Sequence, residues 1–366
     1  MTRDLGRGWR VPLLVLGMLS LAAGIEAGLV RLGWALPAPG AATVLDHGPL
    51  MICGFFGTVI SLERAVALGM RWAYLAPLSA GLGGLALLAG AGAPLAPALM
   101  LAGGVLLSAA SLQVCLRQPA LFTLTLFAGA AAWAAGSALE LAGWPVPAVV
   151  PLWVAFLVLT IAGERLELSR FLPPSPRARR VFAGIAVLLL AGAVAVAAGV
   201  GVGGAGFAFA LLALAAWLLR QDIARRTIRE RGLTRFIAAC LLLGYAWLGI
   251  GAVILLLDGG LLPGSPGYDA GLHAVLIGFV LSMVFGHALI IIPAVLGLRL
   301  SYGAAFYLPL VLLHLSVALR IGGDLAGSFG ARAGGGLLTA VALLLFVLTL
   351  LLAGARGIRP GQVAPR

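Results

Sequence analysis

The stretch YDAGLHAVLIGFVLSMVFGHALIIIPA, residues 268–294, decides the fold class. After Asp269 it holds no Asp, Glu, Lys or Arg. Its length exceeds the roughly 20 apolar residues that cross a bilayer as a helix. Runs of the same kind recur along all 366 residues. Sixty-two per cent of residues are apolar, ten per cent are charged, and mean hydropathy is +1.12. A soluble domain of this length could not bury so much apolar surface behind so few charges. The composition excludes that class and predicts an all-α integral membrane protein, a single polytopic domain over 1–366.

Breaks at Gly, Pro and charge clusters divide the chain into about twelve spans. They run approximately 11–33, 45–68, 73–92, 97–116, 120–142, 147–170, 181–202, 204–220, 234–257, 269–294, 303–322 and 333–354. The net charge of +12 sits in short clusters between these runs. That distribution is one of orientation signals, not of a nucleic-acid footprint. Loops 2–3 (Arg64, Arg71), 4–5 (Arg117), 6–7 ("RFLPPSPRARR"), 8–9 ("RQDIARRTIRERGLTR") and 10–11 (Arg299) are basic, as are both termini. The intervening loops are nearly free of Lys and Arg. The positive-inside rule predicts a multi-pass protein of a bacterial cytoplasmic membrane, lipid its surroundings, with both termini cytoplasmic. The run that follows "MTRDLGRGWR" is too long for a signal peptide and reads as the first span. Cys53, Cys115 and Cys240 match no metal or disulfide spacing.

A faint period of four helices is present. The second helix ends "SLERAVALG" and the sixth "AGERLELSR"; the first ends "RLGW" and the fifth "LAGW". Three units of four helices account for both matches. Glu63-Arg64 and Glu164-Arg165 read first as interfacial ion pairs, and a proton entry or partner contact is the functional alternative.

Only four histidines occur, and their depths matter more than their number. His47, in "VLDHGPLMICGFFG" (44–57), enters the second helix at its outer end, and His273 enters the tenth at its outer end. Fourteen residues on, His287 returns to within about 40° of the same face and about 21 Å deeper. His314 lies near the middle of the eleventh helix, at about the depth of His287. The four sort into an outer pair and an inner pair. Zinc would ask for four ligands, and none is near in sequence. A b-type haem needs two axial imidazoles, an apolar slot and rim cations for its propionates. Arg320 and Arg31 stand at the right depth to hold carboxylates bidentately. Gly48, Gly54 and Gly278 would admit a flat macrocycle, or serve helix packing. Met51, four residues after His47, would supply a soft ligand if copper also binds. Glu26 and Glu140 are outer-half carboxylates, in ion pairs or on a proton path. Cys53, six residues after His47, points about 120° away from it.

"HGPLM" at the head of the second helix resembles the low-spin haem motif of haem–copper oxidase subunit I. That resemblance implies twelve helices in pseudo-threefold units, haem between the second and tenth helices, and propionate arginine at Arg320. Helices six and seven carry no histidine, so it does not extend to an oxygen-reducing centre. A nearer resemblance is to NnrS, a haem- and copper-containing family associated with denitrification and nitric-oxide stress. His47, Met51, Gly54 and Phe55 are similar to its second-helix pattern, and His273, Gly278 and Met283 to its tenth. Pro49 and "GHALIIIPAVLG" replace its second histidine and its His-Thr-Gly-Arg ending. The resemblance implies a haem protein of nitric-oxide response or redox handling, with no catalytic role assigned. Two alternatives stay open. A two-haem electron conduit would use His287 and His314, and a proton-linked transporter would use the carboxylates, with Pro293 as its one break.

Overall fold

The computed structural model of the chain describes residues 4–36, 41–91, 94–169 and 174–357. Parts of loops 1–2, 3–4 and 6–7 and the last nine residues, on which some loop assignments rest, lie outside that set. Among the described residues there is no strand. The long helices are α1 (Arg7–Arg31), α2 (His47–Leu68), α3 (Leu75–Leu88), α4 (Leu95–Arg117), α5 (Leu121–Leu141) and α6 (Val146–Leu168). They continue with α7 (Pro176–Ala197), α8 (Gly203–Gln221), α9 (Gly232–Leu257), α10 (Pro266–Leu296), α11 (Ala304–Leu325) and α12 (Phe329–Gly357).

Eleven of these are long and apolar enough to cross a membrane. The expected third span is shorter than its apolar run suggests. A 3-10 turn at Arg71–Tyr74 takes up its start, and α3 itself has 14 residues. At 1.5 Å per residue the helix alone rises only about 21 Å.

Burial follows the four-helix period. Of the apolar stretch of each span, 83 % is buried in α6 and 61 % in both α2 and α10. These are the second helices of three successive four-helix units. A helix apolar all round is an interior helix, and Val149 to Leu159 of α6 are all buried. The other spans ring this centre and turn Leu, Val and Ile outward, the arrangement a lipid solvent permits. The "GW" endings mark equivalent corners. Gly33 and Gly143 close α1 and α5 with φ of +80° and +93°, a conformation that favours glycine. The next residue bonds back five positions, Trp34 N–H to Leu29 O and Trp144 N–H to Leu139 O. Each indole then reaches a neighbouring backbone carbonyl, of Ala333 and of Ala197.

The Trp34 bond seats the end of α1 against the start of α12, so the two terminal helices begin and end on one side. On that side the repeated Glu-Arg motifs pair between helices, not within themselves. Arg64 of α2 donates to Glu164 of α6 at 2.6 Å. Arg165 grips Asp222 with two bonds, 2.7 and 2.9 Å, and Tyr245 and the Ala224 N–H complete that carboxylate. A buried charge pair is tolerable when every remaining lone pair is satisfied.

Candidate functional site

The site lies at the opposite end, where α2 and α10 begin. Both helices leave α geometry just inside their histidine. A π segment runs Leu50–Phe56 in α2 and Ala274–Leu281 in α10. π segments are rare and concentrate at functional sites. Here they occur on the two inner helices that carry the outer histidines.

The imidazoles of His47 and His273 face one another with ring centroids 6.3 Å apart and planes 16° from parallel. Each Nδ1 donates to a backbone carbonyl, His47 to Gly24 O at 2.7 Å and His273 to Asp269 O at 2.8 Å. A carbonyl only accepts, so Nδ1 carries the proton and the Nε2 lone pair is left available. Neither Nε2 has a hydrogen bond among the described residues. The room for His47 is made by α1. A Cβ on Gly28 would come within 2.9 Å of its ring, and one on Gly24 within 2.7 Å of Met51 Sδ.

Both rings line a cavity of about 330 Å³, in the size range of small-molecule sites. Its walls are apolar, with Ile25, Leu29, Ile52, Phe56, Val150 and Leu276 among them. Its rim is cationic. Arg31, Arg320 and Arg332 all border it. Asp269 organises two of them: Arg320 Nη2 lies 2.8 Å and Arg332 Nη2 3.2 Å from its Oδ2. Its other oxygen is 3.3 Å from His273 Nδ1. Arg332 also pairs with Asp324 at 2.9 Å. Depth along the sequence does not single out Arg332, Asp269 or Asp324; only the return of α12 to the end of α11 brings Arg332 there.

A b-type haem fits this chemistry. The locked tautomers, the apolar walls and the rim guanidiniums match the needs of iron, macrocycle and propionates in turn.

The other expected residues are placed differently. Arg31 forms no ion pair with Glu26 among the described residues. Gly54 and Gly278 do not open onto the cavity: Gly54 packs on Ser20, and Gly278 on Trp247. Gly48 faces Val146. Met51 lines the cavity, but no group of three His, Cys, Asp or Glu that could hold a metal occurs among the described residues. The inner histidines make no ring contact or hydrogen bond with each other. His314 Nδ1 accepts from Trp247 Nε1 at 2.9 Å, and its Nε2 is 3.4 Å from Ser282 Oγ. His287 Nδ1 bonds Met283 O, and its Nε2 is buried without a partner. Cys53, on the far side of α2 from the cavity, lies against Trp133 and Ser137. Asp46, just before α2, is partly buried, which raises its carboxyl above the ordinary value.

Over residues 10–355 the chain matches the model of a family described as a domain of unknown function, DUF8744, and it belongs to that family. No curated protein matches it. Among solved structures it is similar to a haem–copper terminal oxidase determined as a dimer by cryo-EM, at 13 % identity and a TM-score of 0.61. That likeness covers 98 % of this chain and 84 % of the oxidase chain. At that identity the likeness is one of fold: a haem–copper-oxidase-like bundle of about twelve helices.

Proposed function

We propose that this DUF8744 protein holds one b-type haem between His47 and His273 and works in membrane electron transfer. The observation that carries this is the facing pair of histidines, each with Nδ1 committed to a carbonyl and Nε2 free at 6.3 Å between centroids. Bound there, the haem supplies one-electron redox chemistry. The chain's residues do the rest. His47 and His273 present fixed lone pairs from two helices. Arg320, Arg332 and Arg31 receive carboxylates at the rim, and the apolar walls keep water from the ring. With both histidines as its ligands the haem would serve electron transfer in preference to gas binding. Under the positive-inside orientation the site end faces outward from the cytoplasm, so the redox partner docks on that side.

A nitric-oxide role, drawn from the NnrS resemblance, would require one histidine to leave the iron. A second haem would require His314 to give up both of its hydrogen bonds. Copper at Met51 would lack further ligands.

The test is a reduced-minus-oxidised visible spectrum of the purified protein with haem and copper quantified. One haem per chain is expected, lost in His47→Ala and in His273→Ala. No haem band after haem-replete expression, or normal haem content in both variants, would overturn the proposal. A carbon monoxide- or nitric oxide-induced shift in the reduced protein would instead favour the gas-binding reading.

A further inference from the structure

Beside the haem site, on the other face of α2, α5 carries a file of polar groups that the haem site does not use. Trp133, Ser137 and Glu140 are spaced four and three residues apart, on one face of the helix and spread over about 10 Å of it. Trp133 and Ser137 are fully buried. Among the described residues Trp133 Nε1, Ser137 Oγ and Glu140 Oε2 have no nitrogen or oxygen partner, and only the weakly accepting thiol of Cys53 lies against the first two. Elsewhere the chain settles its helix hydroxyls on the carbonyl four residues back: Ser20 on Leu16, Thr58 on Gly54, Ser108 on Gly104, Thr125 on Leu121. Ser137 does not do this. Each unmade bond of a buried polar atom costs about 1–3 kcal/mol, and groups of such atoms are where internal water sits.

The groups that face this file are few. Cys53 of α2 touches Trp133 and Ser137. Glu140 has Asp46 and Cys53 within electrostatic reach, and no Arg pairs with it among the described residues. It differs in this from Asp269, which holds two guanidiniums. An intramembrane carboxylate without a counter-ion marks a functional site, and proton relays are among the roles such residues take. Glu140 stands half-buried in the last turn of α5, at the site end, and the file leads from it inward beside α2.

We propose that Glu140, with Ser137, Trp133 and Cys53, forms a hydrated proton-binding site open to the aqueous phase at the site end, and that it takes up a proton when the haem is reduced. This linkage rests on the haem assignment. One electron from an external one-electron reductant goes to the iron. One proton from water goes to a carboxylate oxygen of Glu140, and no other bond forms. The added negative charge on one face of α2 is then offset by the neutralised carboxylate on the other.

Two measurements test it. Infrared spectroscopy reads the protonated-carboxyl band of Glu140, with or without haem: it should shift in heavy water, titrate with pH, and vanish in Glu140→Gln. A band that neither exchanges nor titrates would overturn the site. In haem-loaded protein, the midpoint potential should fall as pH rises and lose that dependence in Glu140→Gln, while Ser137→Ala should weaken it. A pH dependence unchanged in Glu140→Gln at normal haem content would overturn the linkage. Absence of haem from the wild type would sink the haem assignment and with it the linkage, and the infrared band would still decide the proton site.

Discussion

Asp269 is the residue on which the proposed haem site turns, because one carboxylate lies against His273 and two rim arginines. With haem held there, its negative charge beside His273 would favour oxidised iron over reduced. Asp269→Asn should therefore raise the haem midpoint potential, by roughly 40 mV if about 1 kcal/mol of that interaction survives screening by the guanidiniums. Potentiometric titration of wild type and variant measures it, and an unchanged or lowered potential would contradict this role. On the other side Gly28 makes room for the His47 ring. Gly28→Val would push a side chain into that ring and should empty most of the haem from an otherwise folded protein. Gly184→Ala, where a Cβ would meet nothing, is the control. Depth in the sequence put His47, His273 and Arg320 at one end, and the structure brings all three to one cavity. Gly28 and Arg332 were not legible there, since each acts from a helix remote in sequence.

At the scale of the helix, the two π segments set the direction in which each histidine faces. A π turn contains one residue more than the α turns around it, and so rotates the rest of the helix about its axis. Deleting Cys53 should return Leu50–Phe56 to α geometry and leave the facing of the inner half of α2 against His47 unchanged, because the residue removed is the one the π turn takes up. Haem content should hold while the protein stays monodisperse in detergent; loss of haem would show that the π turn itself is needed, and not only the facing it sets. No periodicity argument predicts these segments, because a constant 100° per residue assumes that they are absent. The same constant-angle reasoning left Cys53 without a partner, whereas it faces Trp133 and Ser137. Span α3 shows a related limit: hydropathy reads a run of apolar residues, not where a 3-10 turn ends it.

For the molecule as a whole, the Arg165–Asp222 pair ties α6, the central helix, to the segment after α8 and, through Tyr245, to α9. Asp222→Ala would leave a buried guanidinium unpaired and should cost about 3–5 kcal/mol, read as a lowered thermal midpoint in detergent. Burial alone would raise the Asp222 carboxyl. The Arg165 guanidinium, with the Ala224 N–H and Tyr245 hydroxyl, more than offsets that and holds it below the ordinary value. Its contribution is therefore full above the unfolded value of about 3.9. It is lost as pH falls below that toward the depressed folded value. Wild-type stability should drop in that acid window and that of Asp222→Asn should drop less; parallel curves would contradict it. The sequence by itself determined the membrane class and the number and order of the helical runs. Those depend on hydropathy and rise per residue, which are local properties. Which histidines meet, which arginines reach the rim, and which hydroxyls go without a partner were decided only by the tertiary structure. Rotation about each helix axis is set by packing against neighbours up to hundreds of residues away, and in a lipid-facing chain nearly every face is apolar enough to leave that rotation unspecified.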